Sequence, residues 1–261
     1  MAVFLLLVSF LASVGGAICG IGGGVIIKPA LDALNLAGVS TISFLSGCTV
    51  LSMSCYSVGR ALAARESLVD FKTGTPLALG AAAGGVAGKS LFSALTALFS
   101  QQSVGLCQSM CLAALTFMTI CYTLFQRRIR THRLTHPLPC VAVGLGLGLL
   151  SSSLGIGGGP INLVVLYYFF SMPTKTAAQN SLYIILLSQI TSLGTTLLTG
   201  AVPPFQLSWL VPMVVGGITG GMAGRNINRH IDDRQVERLF LGLMVLITLI
   251  SLFNAWRFWS A

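Results

Sequence analysis

Apolar residues occur in this chain as long continuous runs separated by short polar or charged stretches. A helix needs about 20 residues to cross a hydrocarbon core of about 30 Å, and several of the runs are long enough. The apolar segments cover approximately residues 2–34, 39–63, 73–98, 103–125, 137–171, 176–199, 206–228 and 235–256. The pattern predicts an all-α polytopic membrane protein, with residues 1–261 in a single membrane domain.

Two glycine motifs each occur twice. The run GIGGG at residues 20–24 returns at residues 155–159, and a glycine-spaced stretch at residues 80–89 is matched at residues 216–225. The two offsets are 135 and 136 residues, so the motifs mark corresponding points of one duplicated unit. We therefore predict a first repeat at 1–126 and a second repeat at 134–261.

The first apolar segment of each repeat is too long for one ordinary crossing. About 33 residues make a straight helix of ~50 Å, so the glycines are expected to break it. If each broken segment crosses once, the repeats are parallel and the basic residues divide almost equally between the two faces. If each enters and returns as a re-entrant hairpin, each repeat has three full crossings and the second is inverted.

The basic residues favour the inverted arrangement. In that topology twelve of the 15 Lys and Arg residues share one face, and only Lys28, Lys89 and Arg257 fall on the other. Such a bias is typical of the cytoplasmic face of membrane proteins. We therefore predict two inverted repeats, each with a glycine-broken re-entrant segment and three transmembrane helices, and both termini outside the cell.

Composition supports a membrane protein and argues against several other classes. The chain is 54% hydrophobic and 8% charged, with a mean hydropathy of +0.88. The net charge is +9, but the charged residues lie in the short stretches between apolar segments and do not form a basic surface. We therefore expect the lipid bilayer as a partner and no nucleic acid. Paired carboxylates, metal-ligand spacings and CxxC pairs are not found in the sequence, which predicts no enzyme, no metal and no cofactor.

The two GIGGG runs are the candidate binding site. Non-helical backbone is tolerated at membrane depth where protein or a cavity satisfies it, and broken helices in inverted repeats commonly form a transporter site at the midplane. Glycine amides can approach a ligand closely, and helix N-termini favour an anion. The alternative is that the glycines of these runs only let helices pack closely. Close packing is the favoured interpretation of the glycines spaced by four in the stretches 80–89 and 216–225. The glycines of this predicted anion site are Gly22, Gly23, Gly24, Gly157, Gly158 and Gly159.

Polar residues within the apolar segments are further candidates for the site, because their amides and hydroxyls suit an oxyanion. Ordinary hydrogen bonding between helices is the alternative role. They are Ser43, Asn162, Gln179, Asn180 and Ser181. Lys28, Lys89 and Arg225 could attract an anion, but the favoured interpretation is that they extend to a membrane interface.

Carboxylates fall near the segment ends, so the sequence predicts no proton relay of the carboxylate type. An inside-negative potential favours exit of an anion by about 2.3 kcal/mol per charge per 100 mV. The sequence therefore favours uncoupled export.

The paired glycine runs, each closing a first apolar segment, and the glycine-spaced third helices resemble the TauE/SafE sulfite exporter family. Pro29 and Leu31 after the first run, and Pro173 and Ala177 after the second, support the resemblance. It implies a transporter of small sulfur-containing anions such as sulfite, sulfoacetate or related sulfonates. We expect it to lie in the plasma (inner) membrane and to work by alternating access between the two repeats. Pro160, directly after the second run, makes the two halves of the site unequal. An importer or channel for another small anion and a non-transporting membrane subunit are the alternatives.

Overall fold

A computed structural model describes residues 1–34, 36–65, 67–126, 131–132, 134, 136–155 and 159–260. In these residues all regular structure is helical. The helices are α1 (Ala2–Cys19), α2 (Gly24–Leu34), α3 (Val39–Ala63), α4 (Phe71–Leu98), α5 (Gln101–Phe125), α6 (Pro137–Ser153), α7 (Pro160–Phe170), α8 (Thr174–Leu198), α9 (Leu207–His230) and α10 (Asp233–Ser260).

The predicted all-α membrane fold is confirmed. Seven helices of the described chain, α1, α3, α4, α5, α8, α9 and α10, are long and apolar enough to cross a bilayer. The apolar helices α6 and α7 are shorter, with 17 and 11 residues. Helices α1 to α5 and α6 to α10 follow the same order: a helix of 17 or 18 residues, a helix of 11, then three helices of 24 to 28.

Both glycine runs fall at helix breaks. Gly20 ends α1 in the left-handed conformation, with φ 74°, and its N–H and that of Ile21 both donate to the carbonyl of Gly16. Such caps satisfy the last carbonyls of a helix, and glycine adopts them without steric cost. The chain then turns through Gly22, at φ 73°, and α2 begins at Gly24.

Helix α2 folds back along α1, and the end of α7 returns to the residues just before α6. Gly23 packs against Ser13 of α1, and Leu31 of α2 joins the same apolar cluster as Leu5. In the second half, the N–H groups of His132 and Leu134 donate to carbonyls at the end of α7, over 2.8 and 2.9 Å. Because residues 132 and 134 lie just before α6, the α6–α7 pair starts and ends at the same end of the bundle.

The glycine-spaced faces predicted to pack helices do so. The backbones of α4 and α6 approach so closely that a Cβ at Gly84 would overlap the carbonyl oxygen of Leu145. Gly220 of α9 faces the carbonyl of Phe10 on α1 in the same way. The prediction of close helix packing at these glycines is therefore confirmed, and the partner helix in each case comes from the other half of the chain.

Hydrogen bonds define the two ends of the bundle. At one, which we call the Arg257 end, Arg257 donates to the carbonyl of Ala33 over 2.5 Å, and Gln102 donates to that of Phe258 over 2.9 Å. At the other, the Arg229 end, the start of α8 and the end of α9 lie beside residues 67–70.

Candidate functional site

A cavity lies at the Arg229 end, and we call it the basic vestibule. It has a volume of about 290 Å³ and lies between the ends of α1, α3, α8 and α9. Lys175, Arg225 and Arg229 line it together with Gln179 and Asn228. Three cationic side chains around one concave surface attract anions and raise their local concentration.

Hydrogen bonds to main-chain carbonyls hold the wall of the vestibule. Arg225 donates to the carbonyl of Ser57 over 3.2 Å, and Asn228 donates to that of Ile18 over 2.6 Å. Ala178 lies at the floor, and Gly20 of the first glycine turn packs directly against its backbone. The vestibule therefore leads to the first glycine turn.

The first glycine turn is buried at the centre of the bundle. The Cβ position of Gly22 lies 3.3 Å from Ile185 and 3.6 Å from Val50. Each of these residues is the twelfth of a 25-residue helix, α8 and α3 respectively, so Gly22 lies halfway along both. The three atoms nearest to the Cβ position of Gly22 are aliphatic carbons of these two residues.

At the second glycine run, Gly157 and Gly158 lie outside the described residues. Gly159 precedes α7 in an extended conformation that any residue can adopt, with φ −175°. Gly155 ends the α6 turn at φ 66°, and a Cβ there would lie 2.5 Å from the hydroxyl of Ser43 and 3.4 Å from Cε of Lys28. Gly155 therefore gives Ser43 and Lys28 room to approach the turn.

A small polar cavity borders Gly155, and we call it the serine cavity. Its volume of about 20 Å³ is enough for one water molecule. The hydroxyls of Ser43 and Ser152, on opposite halves of the chain, are buried and have no hydrogen-bond partner among the residues that the structure describes. Lys89 also lines the cavity, with its ammonium 5.1 Å from the centre of the Phe92 ring.

Lys28 lies against the same turn and forms an ion pair with Asp32, one helical turn later. Nζ of Lys28 and Oδ2 of Asp32 are 2.7 Å apart, and each side chain is only 4% exposed. The prediction that Lys28 extends to an interface is wrong, because Asp32 compensates its charge inside the protein. Asp32 is near the end of its segment, as the sequence indicates, but its carboxylate is nevertheless buried.

The remaining predicted site residues have different environments. Asn162 and Ser181 are buried, with Oδ1 and Oγ lacking a partner. Asn180 accepts from the N–H of Asp70 and donates to the carbonyl of Leu68, and Gln179 accepts from the N–H of Leu68. The two amides thus position residues 68–70 beside the vestibule.

Sequence reasoning missed several polar residues of these cavities, including Asp32, Ser152 and Lys175. For Asp32 a signal existed: Lys28 and Asp32 are four residues apart, a spacing that places opposite charges together on a helix. Lys175 and Ser152 carry no comparable signal, because their cavities form between helices far apart in sequence.

Comparisons with known proteins agree with this architecture. Residues 5–251 match the family model described as Sulfite exporter TauE/SafE. A protein of Bacillus subtilis (strain 168), "Probable membrane transporter protein YunE", is 23% identical over 268 residues, which cover 94% of this chain and 95% of that protein. No solved structure matches the chain significantly.

Proposed function

Because this chain belongs to the sulfite exporter TauE/SafE family, we propose that it carries small sulfur-containing anions, such as sulfite, sulfoacetate or related sulfonates, out of the cell. The chain is a multi-pass membrane transporter and not an enzyme. The observation that carries the anion assignment is the basic vestibule: three cations line one cavity in a chain of which only 8% is charged.

The topology that we propose has two inverted repeats with re-entrant α1–α2 and α6–α7 hairpins. The hairpin geometry supports it, since the hydrogen bonds of His132 and Leu134 bring the end of α7 back to the start of α6. The Arg229 end then faces the cytoplasm, as the positive-inside bias expects, and both termini lie outside.

Labelling of single cysteines in a cysteine-free background tests this topology. Thr131 and Ala201 are both exposed and lie on either side of the α6–α8 segment. If α6–α7 is re-entrant, only α8 crosses between them, so an impermeant maleimide should label Ala201→Cys in intact cells and Thr131→Cys only after lysis. Labelling of both from the same side would support a crossing α6–α7 pair and contradict the inverted arrangement.

In the proposed mechanism, anions enter the basic vestibule and pass to a midplane site at the two glycine turns. Gly22, Gly23 and Gly24 supply backbone from the first turn, and Gly157, Gly158 and Gly159 from the second. Ser43, Asn162 and Ser181 supply polar groups, whereas Gln179 and Asn180 keep the vestibule wall in place. Alternating access then arises from movement of one repeat against the other around this site.

The charge arrangement supports export. A cytoplasmic basic vestibule collects the anion inside the cell, and the membrane potential drives it out with about 2.3 kcal/mol per charge per 100 mV.

Efflux of radiolabelled sulfite and of a simple sulfonate from proteoliposomes tests the function. The wild type should release at least one of these anions faster than protein-free liposomes. Gly155→Ala should abolish the release, because the methyl group would crowd Ser43 in a left-handed conformation. Gly194→Ala is the matched control, since no other residue lies within 4 Å of its Cβ position. Absence of flux for both anions with folded wild-type protein would refute the sulfur-anion assignment.

A further inference from the structure

Lys28 lies between two polar cavities. On one side is the serine cavity, and on the other is a cavity of about 10 Å³ that we call the acceptor cavity, lined by Asp32, Gln108, Ser251 and Asn254. We propose that Lys28 binds the transported anion at the serine cavity, and that Asp32 is the counter-ion that recaptures Lys28 when the anion leaves. This inference rests on the proposed function.

The serine cavity must widen from the size of one water molecule to hold an anion, but it already has the groups that an oxyanion requires. Ser43 and Ser152 are 7% and 5% exposed, and their hydroxyls have no partner, so both can donate a hydrogen bond to a bound anion. Lys89 adds a second cation. Cε of Lys28 is already 3.4 Å from the Cβ position of Gly155 at the edge of this cavity. In the proposal, the Lys28 side chain rotates and brings its ammonium from Asp32 to the anion.

The acceptor cavity disfavours an anion. The amide nitrogens of Gln108 and Asn254 donate to the carbonyls of Ser153 and Pro29, which leaves their carbonyl oxygens as the groups without a partner. Oδ1 of Asp32 is a third buried oxygen acceptor without a partner. Among the described residues of this cavity, three of the four polar atoms without a partner are acceptors, and one is the hydroxyl of Ser251. The anion therefore binds on the Gly155 side, and Lys28 marks the boundary.

The ion pair is not needed to hold α2 in place. The amide of Asn254 binds the carbonyl of Pro29, and Arg257 binds the carbonyl of Ala33, so α10 already holds the backbone of α2. Burial of a charged pair usually contributes little net stability compared with apolar residues of similar size. A buried pair beside the proposed path is therefore better explained by binding than by folding.

The exchange explains how a strongly bound anion can leave. Asp32 and the anion compete for one ammonium group, and Asp32 also borders a wider cavity of about 230 Å³ at the Arg257 end, with Asn254 and Arg257. When the path opens to that end, return of Lys28 to Asp32 releases the anion. The carboxylate and the ammonium remain on the protein, so the cycle requires no second ion.

Binding of radiolabelled sulfite to purified protein tests this proposal, with three variants. Asp32→Asn removes the carboxylate that competes with the anion for Lys28. Sulfite binding should therefore tighten by about tenfold, the effect of losing one competing charge-assisted contact, and efflux should slow because release is no longer assisted. The double variant Lys28→Gln/Asp32→Asn leaves no unpaired buried charge and should fold, but it should weaken binding by about tenfold or more. The exchanged pair Lys28→Asp/Asp32→Lys keeps an ion pair and should also bind weakly.

Wild-type affinity in the double variant would overturn the role of Lys28. Unchanged affinity together with unchanged efflux in Asp32→Asn would overturn the role of Asp32. In both cases transport by the wild type would leave the proposed function standing. Wild-type protein that neither binds nor transports a sulfur anion would instead refute the proposed function. Lys72→Gln, at an exposed lysine near the Arg229 end, serves as the control for general charge effects.

Discussion

Replacement of Gly148 by alanine should separate α4 from α6 and destabilise the bundle. A Cβ at Gly148 would overlap the carbonyl oxygen, the carbonyl carbon and Cα of Ala81. These are backbone atoms, so the clash can be relieved only if one helix moves away from the other. Overpacking of this kind costs about 1–3 kcal/mol, and a backbone clash should fall at the upper end of that range.

Gly146 provides the matched control on the same helix, because no other residue lies within 4 Å of its Cβ position. Alanine is the better helix former by about 1 kcal/mol at both positions, so this gain cancels when the two variants are compared. The difference between them is then the steric cost alone. At about 2–4 °C per kcal/mol for a chain of this size, Gly148→Ala should unfold roughly 6–12 °C below Gly146→Ala.

Thermal unfolding of the two variants in the same detergent, followed by circular dichroism, measures this difference. Equal midpoints would show that the α4–α6 backbone contact is not as close as described, and would refute the packing argument.

Two further predictions concern the first glycine turn and the vestibule. Gly20→Ala should destabilise the protein by about 1–2 kcal/mol because of the left-handed conformation, and further because the methyl group would overlap Ala178. Gly59→Ala is the control, since the Cβ position of Gly59 lies in open space. Thermal unfolding of the two variants measures the difference. Lys175→Gln should slow sulfite efflux most strongly at low ionic strength, because it removes from the vestibule a charge that attracts the anion. Lys72→Gln should leave efflux unchanged. If the effect of Lys175→Gln did not depend on salt, electrostatic steering by Lys175 would be contradicted.

Most of the fold could be predicted from the sequence, because membrane helices are long apolar segments with distinct ends. The segment predicted at 39–63 is α3 without change, and the break predicted at 20–24 lies between α1 and α2. Glycines spaced by four predicted close packing but not the partner helix. Partner choice depends on the shape of whole helix surfaces, and no local pattern records that Gly84 meets Leu145.

The candidate site could be predicted only in part. The position of Gly22 at the middle of α3 and α8 agrees with the expectation that the glycine breaks face the interior. The sequence favours an interface for Lys28, because a lysine in an apolar segment usually extends to water. Its burial depends on Asp32, and the cavity beside it depends on Ser152 from the other repeat, so both follow from tertiary contacts.

Dependence of anion distribution on membrane potential is the most direct test of the central claim, that the chain conducts small anions without a coupling ion. Proteoliposomes loaded with a labelled monovalent sulfonate should expel it when the interior is held at −100 mV. At equilibrium the outside-to-inside concentration ratio should approach about 50, the ratio that corresponds to about 2.3 kcal/mol for one charge. A ratio near one that does not respond to the potential would contradict the account.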